Sequence, residues 1–248
     1  MSSIQRKGSR TLKDVPLEIV EQLNKGVLET ANLMEALSID FTQLLSILGH
    51  TPEKNHFESL GIIQRMKEAA RSLLENEHDI DSLSKHPSDT VRGWAGYMIS
   101  FDSRIPLKQK FTLIENLADD QHFGVREWAW LAMRPYCVED PISVIKLLEP
   151  WLTQTENKRR FVSEITRPRG VWCAHIPILK EQPELALPIL NALKTDPSRY
   201  VQNSVANWLN DAAKSKTQWV KDLCQLWRQE SPTEATTYVC KRALRNCK

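Results

Sequence analysis

Val91-Arg92-Gly93-Trp94-Ala95 returns 34 residues later as Val125-Arg126-Glu127-Trp128-Ala129. Another 34 residues on stands Arg159-Arg160-Phe161-Val162-Ser163, and 42 beyond that Val201-Gln202-Asn203-Ser204-Val205. The first position is read as a helix start, the second is polar, and the fifth is small or β-branched. His86-Pro87 and Asp196-Pro197 sit at the same offset before their helices. A period of 34 to 42 residues built from helix pairs is that of HEAT-like repeats, in which each pair buries its apolar face on its neighbours. Such stacks curve, and their concave side is the natural binding surface. The expected fold is therefore all-α: stacked antiparallel helix pairs forming a curved α-solenoid with a concave basic face.

The rest of the chain agrees with that reading. Leu33, Ala36 and Leu37, then Leu44, Leu45 and Leu48, mark two short helices, and Leu60 to Leu74 a longer one, all at helical spacing. Asp140-Pro141, Asp196-Pro197 and Ser231-Pro232 read as helix starts, each with a capping side chain before a proline whose missing N–H is harmless in a first turn. Ser231 and Glu234 have the spacing of a capping box. No strand alternation and no Asn-Gly hairpin stands out. Glycine is scarce, 8 of 248 residues or about 3% against a usual 7% or so, which disfavours turn-rich barrels and glycine-loop nucleotide binders. The expected organisation is a basic, disordered N-terminal arm over 1–14 followed by a single HEAT-like domain over 15–248.

Apolar runs are far shorter than the roughly 20 residues of a membrane span, and no secretory leader is evident, so a cytoplasmic protein is expected. The five cysteines include no CxxC pair and read as reduced thiols. The six histidines form no metal-binding spacing, and phosphate-binding loops and nucleophile elbows are absent, so no metal and no cofactor are expected. Net charge is +2, yet basic residues cluster in three islands. These are Arg6 to Lys13, Lys158 to Arg169 with Glu164 as the lone acid, and Lys241 to Lys248. Basic islands on a neutral body suit a polyanion-binding face.

Two stretches, "RRFVSEITRPRGVW" (159–172) and "LPILNALKTDPSRYVQNSVANWLNDAAK" (187–214), closely resemble the AlkC-type DNA alkylation repair glycosylases. These belong with AlkD in a superfamily of HEAT-like DNA glycosylases. "QRKGSRTLKDVP" (5–16) is similar to that family's basic N-terminus, and "REWAWLAMRPY" (126–136) resembles its active-site helix more loosely. The resemblance implies release of N-alkylated bases whose alkylation leaves them cationic, without obligatory extrusion of the base. Some members carry a further C-terminal Ig-like domain, for which the chain is expected to have no room. Gln202 departs from the pattern where a basic residue is expected, and Gly170-Val171 is a variable spot before Trp172.

The chemistry of the residues is compatible with that implication. Alkylation of a purine ring nitrogen weakens the glycosidic bond, and on cleavage positive charge moves to the sugar as an oxocarbenium-like centre. Such a reaction needs a carboxylate near the sugar, a positioned water and electron-rich aromatic faces. Glu127, in the aromatic REWAW helix, and Glu164, matched by the family motif, are the candidate catalytic carboxylates; their separate roles stay open. Trp172, after the Arg167-Pro168-Arg169-Gly170 break, is the candidate aromatic against the deoxyribose. Trp94, Trp151, Trp208, Trp219 and Trp227 read as packing residues.

For DNA, the helix after Asp196-Pro197 is the most informative. Val201, Val205, Trp208, Leu209 and Ala212 form its apolar stripe, and Arg199, Asn203, Asn207, Asn210 and Asp211 fall toward another face. Asparagines on one stripe weaken a helix unless their amides bind something, and backbone phosphates are favoured here over a neighbouring helix. Lys158, Arg159, Arg160, Arg167, Arg169 and Arg199, with Asn203 and Asn207, are the candidate DNA contacts. They would position alkylated DNA without reading its sequence. N3- and N7-alkylated purines, and N-alkylated bases in single strands, all carry the required charge. The protein is expected to act as a monomer. The competing reading is a non-catalytic HEAT-repeat module that binds nucleic acid or protein, in which Glu127 and Glu164 are replaceable.

Overall fold

The computed structural model describes residues 6–50 and 56–247, and among them every regular element is helical. The helices are α1 (Leu17–Asn24), α2 (Leu33–Ser38), α3 (Phe41–Ser46), α4 (Ile62–Glu75), α5 (Ile80–Ser84), α6 (Asp89–Phe101) and α7 (Leu107–Ala118). They continue as α8 (Phe123–Glu139), α9 (Pro141–Leu148), α10 (Glu156–Ile165), α11 (Pro177–Glu181), α12 (Leu187–Leu193), α13 (Arg199–Glu230) and α14 (Glu234–Ala243). The chain divides into two compact units, 1–129 and 130–248, and the division falls inside α8. The sequence reading expects one domain over 15–248 instead. Of the arm expected over 1–14, residues 1–5 lie outside the described part, as does Lys248 of the C-terminal island. Residues 6–14 are engaged: Arg6 donates to both oxygens of buried Glu35 at 2.5 and 2.7 Å, and Leu12–Asp14 form a 3-10 turn.

In the first unit α6 is buried along almost its whole length and packs against α4, α5 and α7. Gly93 is what lets this happen. A Cβ at that position would lie 2.6 Å from Trp128 Cδ1 and 2.7 Å from Met66 Cε, so the repeat's third position carries no side chain here. In the second unit the stripe Val201, Val205, Trp208, Leu209 and Ala212 is fully buried, and α13 packs on α10, α12 and α14. Trp94, Trp151, Trp208 and Trp227 are core residues, while Trp219 is half-buried. α13 is broken at Lys216 (φ −133°, ψ 57°).

The sequence repeat is a repeated hydrogen-bonding device. Arg92 donates to the carbonyls of His86 and Pro87 at 2.8 and 3.1 Å, and Arg126 to those of Asp120 and Gln121 at 2.7 and 2.8 Å. Arg159 donates to the Gln154 carbonyl at 2.5 Å, and Gln202 to that of Asp196 at 2.7 Å. His86, Asp120, Gln154 and Asp196 are spaced by 34, 34 and 42 residues, the period of the sequence repeat. Arg92 and Arg159 also reach forward to the next repeat's turn, gripping Asp120 and Asp196 through two N–H groups each.

In the third repeat the clamp is Arg159 and not the aligned Arg160, because α10 starts two residues after Gln154 where α6, α8 and α13 start three after theirs. Two local expectations are corrected. The helix after Asp196-Pro197 begins at Arg199, and Asp196 accepts from Ser198 N (2.9 Å) in the turn before it. The cap of α14 is Thr233, which accepts from Thr236 N, so the Ser231–Glu234 capping box does not form. Asp140 caps α9 as expected, accepting from Ser143 N at 3.0 Å.

Candidate active site

α10 is capped by Thr155, whose hydroxyl accepts from Lys158 N, and buries Phe161, Val162 and Ile165. That register carries Glu164 inward to 3% exposure. A carboxylate at such depth is stable only if its lone pairs are taken up. Arg167 Nη1 donates to Oε2 at 3.0 Å, Ser204 Oγ to Oε1 at 2.8 Å, and Arg160 Nη2 stands 3.6 Å from Oε1. Arg160 also lies 4.3 Å over the Tyr200 ring.

Arg167 couples this acid to a second one. Its Nε and Nη2 donate to Asp211 Oδ2 at 3.0 and 2.6 Å, and Lys214 Nζ reaches Asp211 Oδ1 at 2.9 Å. Burial alone would lower the Arg167 pKa, but the charges of Glu164 and Asp211 more than offset it and the net shift is upward. Arg169 joins through the Asp211 carbonyl (3.3 Å) and Ser215 Oγ (2.6 Å). Two buried carboxylates are therefore bridged by one guanidinium.

Trp172 sits on the segment after α10, half out in solvent at 49% exposure, next to Val171 at 82%. One buried cation holds this segment. Arg134 donates Nη1 to the Ile165 carbonyl (2.6 Å) and Nη2 to those of Arg167 (2.6 Å) and Ala174 (3.0 Å), with Nε also on Ala174 at 3.2 Å. Its pKa is lowered by burial. Gly170 in the same segment lies close against Cys173, and a Cβ there would lie 2.0 Å from Cys173 Sγ unless that thiol turned away.

The structure thus gathers Glu164, Arg160, Arg167 and Arg169, with Trp172 on the adjoining segment. Glu127 belongs to the first unit, half-buried on α8 next to the clamp residue Arg126. Lys158 donates to Gln154 Oε1 at 2.8 Å, and Arg159 is engaged with Asp196. Arg199 stacks on Tyr238 at 3.6 Å, Asn203 Oδ1 accepts from Tyr238 OH at 2.7 Å, and Asn207 Oδ1 from Arg245 at 3.1 Å. The asparagine stripe therefore meets a neighbouring helix, the recipient that the sequence reading ranks second. Asp211, Ser204 and Arg134 are the residues that sequence reasoning did not single out for the site. Asp211 was within reach of it, lying on the polar stripe of α13; the other two are positioned only by tertiary contact. Among the described residues no group of three or more His, Cys, Asp or Glu side chains is placed to hold a metal ion, and no helix is long and apolar enough to cross a membrane.

No family model matches the chain. Over 115 residues, 46% of the chain, it is 38% identical to the uncharacterized protein YhaZ of Bacillus subtilis (strain 168); the match covers 32% of that protein, about a third of its length. It is similar in structure to the Pseudomonas fluorescens alkylpurine DNA glycosylase AlkC bound to DNA containing an abasic site analog. That likeness has a TM-score of 0.67 at 24% identity and covers 96% of this chain and 65% of that one. It is similar also to AlkD2 from Streptococcus mutans, with a TM-score of 0.59 at 20% identity over 95% of this chain and 99% of that one. The chain has the helical-repeat fold of these proteins.

Proposed function

Proceeding from the fold shared with AlkC and AlkD2, we propose that this protein is a DNA glycosylase that hydrolyses the bond between deoxyribose and a cationic N-alkylated base, N3- or N7-alkylpurines among them, without a cofactor. The observation that carries the reading is the buried Glu164–Arg167–Asp211 bridge beside an exposed tryptophan. In the reaction the C1′–N bond breaks with its electron pair moving to the base, which becomes neutral. Positive charge then develops on the sugar, and water adds to C1′ and loses a proton to a carboxylate. Arg160 and Arg167 hold the Glu164 carboxylate in position for the cationic centre presented to it. A unit charge pair about 4 Å apart is worth roughly 4 kcal/mol at an effective dielectric of 20. Even a third of that, appearing only in the transition state, is about tenfold in rate. Trp172 would press against the deoxyribose and exclude water other than the nucleophile.

Lys158, Arg160, Arg169 and Arg199 are assigned to the DNA backbone, and Asn203 and Asn207, whose Oδ1 atoms accept from Tyr238 and Arg245, to holding α13 against the segment that carries those residues. Arg159 and Arg167, whose guanidinium groups are committed to Asp196 and to Glu164 with Asp211, are assigned to holding the site. Glu127 remains the candidate carboxylate of the first unit.

The test is base release from methylated duplex DNA, read by mass spectrometry without added metal or cofactor. Release of methylated purines is expected to fall about a hundredfold in Glu164→Gln, the scale of losing one preorganised electrostatic contact. Glu127→Gln is measured beside it. The full engagement of both Glu164 oxygens by the protein's own side chains favours a second reading, a non-catalytic binding module. Salt-sensitive DNA binding with no base release from the wild type would establish that one.

A further inference from the structure

Arg160, Arg167 and Lys214 around Glu164 and Asp211 are paired with carboxylates, but three arginines where α13 meets α14 are not. Among the described residues Arg199, Arg242 and Arg245 take part in no ion pair. Their contacts are to neutral groups. Arg199 lies 3.6 Å from the Tyr238 ring centroid and Arg242 5.6 Å from it. Arg245 donates Nη1 to the Arg242 carbonyl at 2.7 Å and Nη2 to Asn207 Oδ1 at 3.1 Å. The Arg242 Nε is buried with no acceptor.

Tyr238 is the keystone of this arrangement. Its hydroxyl bonds Asn203 Oδ1 at 2.7 Å, which fixes the ring between the two helices. A guanidinium stacked on a ring uses its flat face and keeps its N–H edge for an acceptor. Three like charges gathered along one seam repel each other, and a bound anion relieves that repulsion. From Tyr238 the seam follows α14 for about 7 Å to its end at Ala243, at about 1.5 Å per residue, and Arg245 extends it in the turn beyond. That reach spans at least two phosphates of one strand at some 3.4 Å of duplex axis each.

We propose that the Arg199–Tyr238–Arg242–Arg245 seam is a phosphate-backbone contact for duplex DNA, with Tyr238 holding the guanidinium groups in register. The proposal rests on the DNA-binding part of the reading above and adds Tyr238, Arg242 and Arg245 to it. The seam is separate from the Glu164–Asp211 bridge and reads no base.

The experiment measures affinity of the full chain for an undamaged, fluorescein-labelled 20-base-pair duplex across a series of KCl concentrations. Each phosphate-bound cation contributes about 0.9 to the slope of log K against log salt. Arg242→Gln with Arg245→Gln is expected to reduce the slope by ~1.8. Tyr238→Ala should weaken binding where Tyr238→Phe, which keeps the ring, leaves most of it. Lys146→Gln, an exposed cation on α9, should leave the slope as it is. Circular dichroism and thermal melts select variants that fold as the wild type does. A slope unchanged in the folded double variant overturns the proposal, as does an equal drop in Lys146→Gln or a wild type that does not bind the duplex. Base release from methylated DNA by the wild type is scored separately. A reduced slope without base release leaves the seam standing and removes the glycosylase, and base release with an unchanged slope does the reverse.

Discussion

Arg159 and Asp196 stand 37 residues apart in sequence and are joined by two N–H···O bonds of 2.6 and 2.9 Å, and Arg92 and Asp120 repeat the arrangement in the other unit at 2.9 and 3.2 Å. Each pair ties the first turns of one repeat's helix, α10 or α6, to the turn that opens the next repeat. Hydrogen bonding to Asp196 raises the Arg159 pKa, against a smaller opposing effect of burial. A clamp of this kind stabilises by fixing helix against helix, and removing one partner leaves a buried charge uncompensated. Arg159→Ala is therefore expected to destabilise the fold by about 2 kcal/mol. Arg160→Ala, one residue on, should change stability far less and weaken DNA binding instead. Urea melts beside binding isotherms separate the two; equal stability losses would refute the division of labour.

Arg134 holds the Trp172 segment through three carbonyls, a geometry that a planar fork matches and a single ammonium does not. Arg134→Lys is expected to slow base release about tenfold while the wild-type melting profile is largely kept. If Arg134 acts through Trp172, the double variant Arg134→Lys/Trp172→Ala should be little slower than Trp172→Ala alone. Multiplicative losses in this cycle would show that the two act independently.

Gly93 has no room for a methyl group between Trp128 and Met66. Overpacking a close helix contact typically costs about 1–3 kcal/mol, and Gly93→Ala should destabilise within that range. An intrinsic gain from replacing glycine in a helix works the other way by less than about 1 kcal/mol. A melting temperature at or above that of the wild type would contradict the packing described.

His86 accepts from Ser88 N through Nδ1 at 3.1 Å, and its pKa is lowered below 6.5, first by burial and then by the nearby Arg92 charge. With a folded pKa below the unfolded one, the unfolded chain binds the proton first as pH falls. The His86 contribution is thus complete above about pH 6.5 and is lost progressively as pH drops from there toward the folded pKa. Replacing His86 with Gln should flatten the dependence of melting temperature on pH between about pH 7 and pH 5. An unchanged profile would show that His86 does not carry it.

What was legible in the sequence was what local chemistry encodes. The 34- and 42-residue period, the buried stripe of α13 and the Asp140 cap depend on spacing along one helix or across one turn, and all three stand in the structure. The motif around Glu164 and Trp172 was visible for the same reason, since α10 and the segment after it are contiguous.

The tertiary structure decided which of several identical-looking residues does what. Adjacent Arg159 and Arg160 are equivalent to any one-dimensional pattern. The single-residue advance of α10 against its turn sends one to Asp196 and the other toward Glu164 and Tyr200. The asparagines of α13 pointed to phosphates ahead of a neighbouring helix, yet α14 and the turn after it brought Tyr238, Arg245 and Asn246 to their oxygens. Arg134 lies 31 to 40 residues from the carbonyls it holds. The physical reason is common to all of them. A helix fixes the direction of each side chain through its own backbone, whereas the identity of a polar partner depends on what folding carries to within about 3 Å of it.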